Sequence, residues 1–135
     1  MRASGTFKVA DFTPAPVAGP QIETAVSVGA ATMDKRYEGE VTGRSTTLFT
    51  SAFDQSTAMG TYIAMESFEG TLHGGAGSFN FAHSKTTSGG TPQDEFFVIV
   101  PGSGTRELAG ITGSGGIEVD EDGTHHIWFD YEIGR

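Results

Sequence analysis

The sequence contains no cysteine, which excludes disulfide bonds, thiolate catalysis, cysteine-based zinc sites and iron–sulfur clusters. It also has few basic residues: eight Lys and Arg stand against seventeen Asp and Glu, and the formal net charge is -9. That balance argues against partners with a phosphate backbone and against anionic membrane surfaces. We therefore expect neither a nucleic-acid partner nor a membrane partner.

Long apolar segments are also missing, since no run approaches the roughly 18 residues of a membrane-spanning helix. Residues 1–12 lack the apolar h-region of a secretory signal peptide. These two features lead us to expect a soluble, cytoplasmic protein.

Glycine and phenylalanine are the abundant residue types. There are 20 Gly among 135 residues, about twice the usual share of roughly 7%. Ten Phe, three Tyr and one Trp supply enough large apolar volume to build a core, although only 36% of the residues are hydrophobic. The length predicts one domain spanning residues 1–135.

Apolar and polar residues alternate over most of the chain, which is the pattern of half-buried β-strands. The alternation predicts strands over residues 5–12, 22–30, 37–49, 58–72, 78–84, 95–100, 111–119 and 125–133. Loops are predicted at the three prolines between residues 14 and 20 and at residues 86–92. Residues 73–77 predict a turn, and Asp122-Gly123 predicts a type I′ hairpin. No segment predicts a helix longer than a turn or two.

About eight strands joined by hairpin-like turns predict an all-β fold: a single closed antiparallel barrel with meander topology. The glycines favour closure, because strands that bend around a small barrel need glycine kinks and bulges. A two-sheet β-sandwich is the alternative.

Two sequence motifs resemble catalytic or nucleotide-binding signatures without meeting their requirements. Residues 98–105 run a strand into a Gly-x-Gly turn, as in a dinucleotide fingerprint. The third small position is occupied by Glu107, which would repel a phosphate, and no helix follows. The Gly-x-Ser-x-Gly pattern of a nucleophile elbow is absent, since Ser114 has only one of the two flanking glycines and Ser103 has neither. We expect a sharp turn here and no serine catalysis.

The four histidines do not have the spacing of a metal site on a strand, which requires ligands two residues apart. His125 and His126 are adjacent and point to opposite faces. His83 could meet one of them only through the fold, and His73 lies in a predicted turn. We therefore expect no metal and no cofactor.

The phase of the strands nevertheless places two histidines with the apolar face. His83 shares the face of two phenylalanines in the strand over 78–84, and His125 shares the face of Ile127 and Phe129. Each is a candidate to line the lumen or its mouth. Trp128 falls on the opposite face, so we expect it to contact another subunit of a homo-oligomer.

Glu66 shares a face with Tyr62 and Phe68, and two orientations are open. If the face points inward, burial raises the pKa of Glu66 and suits it to general acid or base catalysis, although a protonated His83 nearby would lower that pKa. The short turn at residues 73–77 would then bring His83 beside Glu66 and Tyr62. If the face points outward, Glu66 is solvated or pairs with Arg44.

Several stretches together are typical of one bacterial family: Gly5-Thr6-Phe7, Tyr37-Glu38-Gly39-Glu40, Tyr62 with Glu66 and Gly70, Gly77-Ser78-Phe79, His83, Val100-Pro101-Gly102-Ser103-Gly104-Thr105, Glu107-Leu108-Ala109-Gly110, Gly115-Gly116 and Asp130-Tyr131. Through them nearly the whole chain resembles domain of unknown function 3224, whose fold is an allene-oxide-cyclase-like β-barrel. Arg106 departs from the small residue expected there, a loop change that leaves the fold assignment intact.

The resemblance implies a barrel, and it favours the inward orientation of Glu66. Related barrels, the plant allene oxide cyclases and dirigent proteins, steer cyclisation or coupling of reactive small molecules without a cofactor. That relation is an analogy between folds, and it does not assign an activity to this chain.

We therefore expect a barrel whose lumen binds a small apolar molecule and which, if it is an enzyme, is a cofactor-free isomerase or cyclase. The catalytic candidates are Glu66 and His83. The ligand-binding candidates are Tyr62, Phe68, Phe79, Phe81, Phe97, His125, Phe129 and Tyr131. The alternative is a non-catalytic barrel, filled by its own Phe side chains, that acts as a carrier or as an oligomeric, partner-binding protein.

Overall fold

The computed structural model describes residues 1–17, 19 and 22–134. It contains eight strands and one short 3₁₀ turn: β1 (Arg2–Ala15), β2 (Val28–Gly39), β3 (Val41–Asp54), β4 (Met59–Leu72), β5 (Gly75–Ser88), β6 (Thr91–Ile99), the 3₁₀ turn η1 (Arg106–Leu108), β7 (Ile111–Val119) and β8 (His125–Ile133). No helix within these residues is long and apolar enough to cross a membrane.

The strands form one antiparallel sheet in the order β6-β5-β4-β3-β2-β1-β8-β7. Neighbours in sequence are neighbours in the sheet except β6 and β7, which form its two ends. The first and last strands, β1 and β8, pair with each other, as in Gly5 opposite Ile127. The two end strands approach each other, because a side chain on Gly115 of β7 would meet the ring of Phe97 of β6. The predicted all-β meander barrel is confirmed as a nearly closed barrel, and the sandwich alternative is wrong.

Alternation along each strand sends every second side chain into the barrel. On β4 the inward positions Ala64, Glu66 and Phe68 are buried, whereas the outward positions Ile63 and Met65 are exposed. With the inward residues of the other strands and Leu108 of η1, the core contains fourteen residues: Ala3, Phe7, Tyr37, Val41, Phe68, Leu72, Phe79, Phe81, Ile99, Leu108, Ile111, Ile127, Phe129 and Tyr131.

Aromatic rings fill the middle of this core. The ring of Phe129 makes edge-to-face contacts with Phe79, Phe81 and Phe97, with centroids 5.3, 5.1 and 5.6 Å apart. Phe68 adds a tilted contact with Phe79 at 5.1 Å. Such geometry is favourable beyond area burial alone, so this part of the lumen is occupied by the chain's own side chains.

Glycine is required where β3 and β4 approach most closely. Gly43 and Gly70 are direct partners in the register, with φ of 140° and 157°. A Cβ on Gly70 would overlap the Thr42 carbonyl oxygen, and one on Gly43 would overlap that of Glu69. The pair therefore lets two neighbouring backbones lie closer than side chains allow.

Several predicted boundaries are wrong. β2 begins only at Val28, and residues 22–27 form no strand, with Ile22 89% exposed. The strand predicted over 37–49 is two strands joined by a tight turn at Glu40. Two predicted loops are too long, because β1 includes Pro14 and β5 extends to Ser88. Pro20, which was also predicted to lie in a loop, is outside the described residues.

The hairpin between β7 and β8 also differs from the prediction. A type I′ turn needs positive φ at both central residues, but only Gly123 has it, at 86°, and Asp122 does not. The Gly123 amide donates to the Asp120 carbonyl at 2.9 Å. The connection is therefore a longer loop, in which Gly123 occupies the one position with left-handed backbone conformation.

Candidate functional site

Glu66 lies in the middle of β4 and points into the barrel. Its side chain is fully buried, so of the two orientations left open by the sequence the structure has the inward one. Its neighbours on the same face are Ala64 and Phe68, both apolar and buried. A carboxylate in such surroundings is costly unless hydrogen bonds and opposite charge compensate for the lost water.

Four side chains supply that compensation. Oε1 of Glu66 accepts hydrogen bonds from the Tyr37 hydroxyl at 2.9 Å and the Ser45 hydroxyl at 2.7 Å. Oε2 accepts from Nζ of Lys35 at 2.6 Å and from Nε2 of His83 at 2.5 Å. The four donors arrive on the inward faces of β2, β3 and β5, so three strands converge on one carboxylate carried by a fourth.

These contacts reverse the direction of the pKa shift that is expected for a buried carboxyl group. Burial alone raises the pKa of Glu66, but the hydrogen bonds and charges that His83 and Lys35 supply together outweigh burial and lower the pKa to about 2. Glu66 is therefore an ionised carboxylate at neutral pH. Burial does act as expected from the sequence, which left the net direction open between burial and a nearby His83; the structure settles it downward and adds Lys35, which the sequence did not reveal.

Lys35 is itself almost fully buried, with 4% of its surface exposed. Its ammonium group lies 4.7 Å from the ring centroid of Phe7, a cation–π distance. With the Glu66 carboxylate on one side and this ring on another, the charge of Lys35 is fixed inside the barrel. Tyr37 is held in its neutral form, since burial and the charge of Glu66 raise its pKa well above the usual value.

A hydrogen-bonded chain connects this cluster to the open end of the barrel. An ionised carboxylate only accepts, so Nε2 of His83 carries the proton that it shares with Glu66. In the neutral imidazole Nδ1 is then an acceptor, and the Tyr62 hydroxyl, 3.2 Å away, donates to it. Burial, followed by the charge of Glu66, raises the pKa of Tyr62 to about 12, so Tyr62 is a phenol at neutral pH.

Tyr62 also forms part of the wall of a cleft of about 480 Å³ at the mouth of the barrel. The ring of Phe49 stacks on it, with centroids 5.2 Å apart and planes at 24°. Ten residues line this mouth cleft: Phe12, Phe49, Ser51, Phe53, Gln55, Gly60, Thr61, Tyr62, Lys85 and Thr87. Its wall combines four aromatic rings with a few hydroxyl groups, one amide and one lysine.

Lys85 is the only charged residue among those ten. It donates to the carbonyl of Ile117 at 3.2 Å and lies 3.3 Å from a carboxylate oxygen of Glu95. Lys85 on β5 thus contacts both β6 and β7, the two end strands of the sheet, which are not paired with each other.

Thr47 was not anticipated. It is 2% exposed, faces Glu66 across the β3–β4 pair, and its hydroxyl has no hydrogen-bond partner among the described residues. On the inward face of β3 it lies between Ser45, which binds the carboxylate, and Phe49, which lines the mouth cleft. The Thr47 hydroxyl is therefore a polar group on the lumen wall between the carboxylate cluster and the mouth cleft.

The other ligand-binding candidates lie apart from the mouth cleft. Phe68, Phe79, Phe81 and Phe129 are packed in the aromatic core, and Phe97 is partly buried against it. His125 stacks on Phe7 with centroids 4.9 Å apart. Tyr131 lies at the opposite end, where its hydroxyl is 3.0 Å from Nδ1 of His73. Tyr62 alone of the set lines the cleft, and the ligand contacts of the others stay predictions.

Within residues 1–17, 19 and 22–134, no three His, Asp or Glu side chains lie close enough together to hold a metal ion. His126 pairs with Asp120 at 2.5 Å, and His73 lies 3.3 Å from Glu40.

Together these features define a class of protein: an eight-stranded antiparallel barrel with an ionised carboxylate buried beneath an aromatic mouth. Residues 3–131 match the family described as protein of unknown function (DUF3224), and the chain belongs to that family. A crystal structure of a DUF3224 protein with unknown function from Shewanella oneidensis MR-1 is similar, with a TM-score of 0.88 and 28% sequence identity. The match covers 100% of this chain and 98% of that one. No curated protein matches the chain.

Proposed function

We propose that the barrel binds a small, largely apolar molecule in its mouth cleft and moves a proton on it without a cofactor, as an isomerase or cyclase. The observation that carries the proposal is the chain Tyr62–His83–Glu66, which links the cleft wall to a buried, ionised carboxylate. This is the arrangement of a reacting hydroxyl, a base and an orienting carboxylate. The allene-oxide-cyclase-like label belongs to this proposal as an analogy.

The cleft suits an apolar ligand with one polar group. Its volume of about 480 Å³ falls within the roughly 300–1,000 Å³ of small-molecule sites. The rings of Phe12, Phe49 and Phe53 would cover the apolar part of the ligand. The hydroxyl group of Tyr62 would meet its polar group.

The proton would move along the chain in a balanced exchange. As the Tyr62 oxygen takes a proton from the ligand, the phenol proton passes to Nδ1 of His83, and the Glu66 carboxylate stabilises the resulting imidazolium. The reverse transfer returns the proton to a different atom of the ligand. The product is an isomer of the substrate, and neither an oxidant nor a second reactant is consumed.

Protein purified from its own host tests this function by native mass spectrometry. We expect a small molecule that is retained by the wild type and by Tyr62→Phe, which keeps the ring, and lost from Phe49→Ala. Val119→Ala, an exposed apolar position on β7, is the control and should retain it.

The recovered molecule then tests the chemistry. In D₂O the wild type should introduce deuterium into it, and Tyr62→Phe and Glu66→Gln should slow this by roughly 10²- to 10⁴-fold, as expected for a lost acid–base relay. If Phe49→Ala also retains the small molecule, the mouth cleft is not its binding site. Equal exchange by wild type and Tyr62→Phe would refute the proton transfer.

A non-catalytic barrel is the second candidate function. It is favoured by the core, in which the rings of Phe79, Phe81, Phe97 and Phe129 occupy the middle of the lumen. In that case the cleft carries a ligand or is idle, the carboxylate cluster only organises the fold, and no variant of Tyr62 changes any chemistry.

A further inference from the structure

The outer surface of the barrel is divided into two walls that differ in charge. The outward residues of β1, β8 and β7 include Arg2, Lys8, Glu118, Asp130 and Glu132, which are partly or fully exposed. The outward residues of the adjoining segments 28–32, 46–52, 61–67, 80–86 and 96–98, on β2 to β6, are all uncharged. We call this second surface the neutral wall.

The centre of the neutral wall is apolar and exposed. Leu48 and Met65 are direct cross-strand partners, 57% and 49% exposed. Ile63 and Phe96, at 60% and 53%, extend the patch along β4 and β6. Met65 is opposite Ala82, which in turn is opposite Val98. A contiguous exposed apolar patch of this kind marks an interaction surface.

We infer that the neutral wall is an interface between two copies of this chain, packed face to face about a two-fold axis near Leu48 and Met65. The first argument is charge. A chain with a net charge of -9 repels its own copies, and a two-fold interface brings each surface against itself. The neutral wall lets two copies meet without placing like charges opposite each other.

The second argument is size. The five segments that define the wall hold 5, 7, 7, 7 and 3 residues, 29 in all. At about 3.3 Å per residue and about 4.8 Å between strands, they cover a flat area of about 460 Å², which the relief of the side chains increases toward the roughly 800 Å² that each partner buries in a stable interface. Two such sheets pack about 10 Å apart with interdigitated side chains.

This inference differs from the sequence-based prediction that Trp128 contacts another subunit. The ring of Trp128 covers Gly116 and lies 5.5 Å below the guanidinium of Arg2. Arg2 in turn pairs with Asp130 at 2.7 Å. That surface already has partners within the chain and carries charge, so it fits self-association less well.

Analytical ultracentrifugation over a wide protein concentration range tests the interface. We expect the wild type to dimerise, and Met65→Lys and Leu48→Lys to weaken dimerisation more than about 100-fold, because each dimer would bury two unpaired charges. Ser4→Lys is the matched control: Ser4 is the register partner of Trp128 on the charged wall, and it should change the dimerisation constant by less than about threefold. Circular dichroism confirms that each variant is folded.

Added salt gives an independent readout. Because the interface is neutral and the two copies are both acidic, screening should strengthen dimerisation. A wild type that is monomeric at every concentration would overturn the inference. So would a dimer that both wall variants keep, or one that is lost equally in Ser4→Lys.

Discussion

Replacing Glu66 by Gln should strongly destabilise the barrel. The substitution keeps the shape of the side chain but removes the charge that balances Lys35, which is 4% exposed. An uncompensated buried charge typically costs about 3–5 kcal/mol. The amide also brings two donors into a pocket where Tyr37, Ser45 and His83 already point donors at the same oxygens, so part of the hydrogen-bond network is lost as well.

The pKa of Glu66 gives a second, independent estimate. It falls from a usual value of 4.5 to about 2 in the folded chain, and at about 1.4 kcal/mol per pKa unit the ionised form adds about 3 kcal/mol to folding. Because the folded pKa is lowered, this stability is present above about pH 5. It is lost as the pH falls through 4.5 toward 2.

Urea unfolding followed by circular dichroism measures both effects. At neutral pH the free energy of unfolding of Glu66→Gln should be lower than that of the wild type by about 3–5 kcal/mol. The difference should shrink by about 3 kcal/mol between pH 5 and pH 2. Comparing the two proteins at each pH removes the contributions of the exposed carboxyl groups that they share.

Glu69→Gln is the matched control, because Glu69 lies on the outward face of the same strand in an exposed pair with Arg44. It should cost no more than about 1 kcal/mol. The double variant Lys35→Met with Glu66→Gln should recover much of the loss, since it removes both buried charges. A Glu66→Gln protein within about 1 kcal/mol of the wild type at neutral pH would refute the reasoning.

Two further substitutions test the fold. Phe129→Ala should lower the free energy of unfolding by about 3–5 kcal/mol, because it opens a cavity among three packed rings; an unchanged urea midpoint would contradict the ring packing. Gly70→Ala should cost more than about 2 kcal/mol, since the new Cβ overlaps the Thr42 carbonyl oxygen. Gly74→Ala, which also has positive φ but open space around it, should cost only about 1 kcal/mol, and equal costs would show that close approach is not the cause.

The fold could be predicted because its signal is local. Strand periodicity and turn residues identify the strands, and β7 and β8 were predicted with the bounds that the structure has. The errors fall where the local signal is ambiguous. In the structure β2 ends at Gly39 and only Glu40 separates it from β3. Because glycines also occur inside strands, the sequence pattern predicts a bend within one strand at this point.

The candidate site could be predicted only for the strands that are adjacent in sequence. Tyr62, Glu66 and His83 lie on β4 and β5, which one short turn connects, so the phase of each strand predicts their shared face. Lys35 and Tyr37 lie on β2, which does not pair with β4. They reach Glu66 only because the sheet curves into a barrel, and a lysine in a strand usually extends into solvent.

The buried lysine also changes the role that the chemistry assigns to Glu66. A carboxylate with a pKa of about 2 is a poor proton acceptor at neutral pH, and a phenol with a pKa of about 12 gives up its proton only to a well-placed base. His83 lies between them and is hydrogen-bonded to both: through Nε2 to Glu66 and through Nδ1 to Tyr62. In the proposed mechanism the proton therefore passes through the imidazole, and Glu66 acts as a fixed negative charge that would stabilise the protonated ring. Lys35 and His83 together keep Glu66 ionised, so a buried lysine that does not line the cleft would help to set the chemistry available in it.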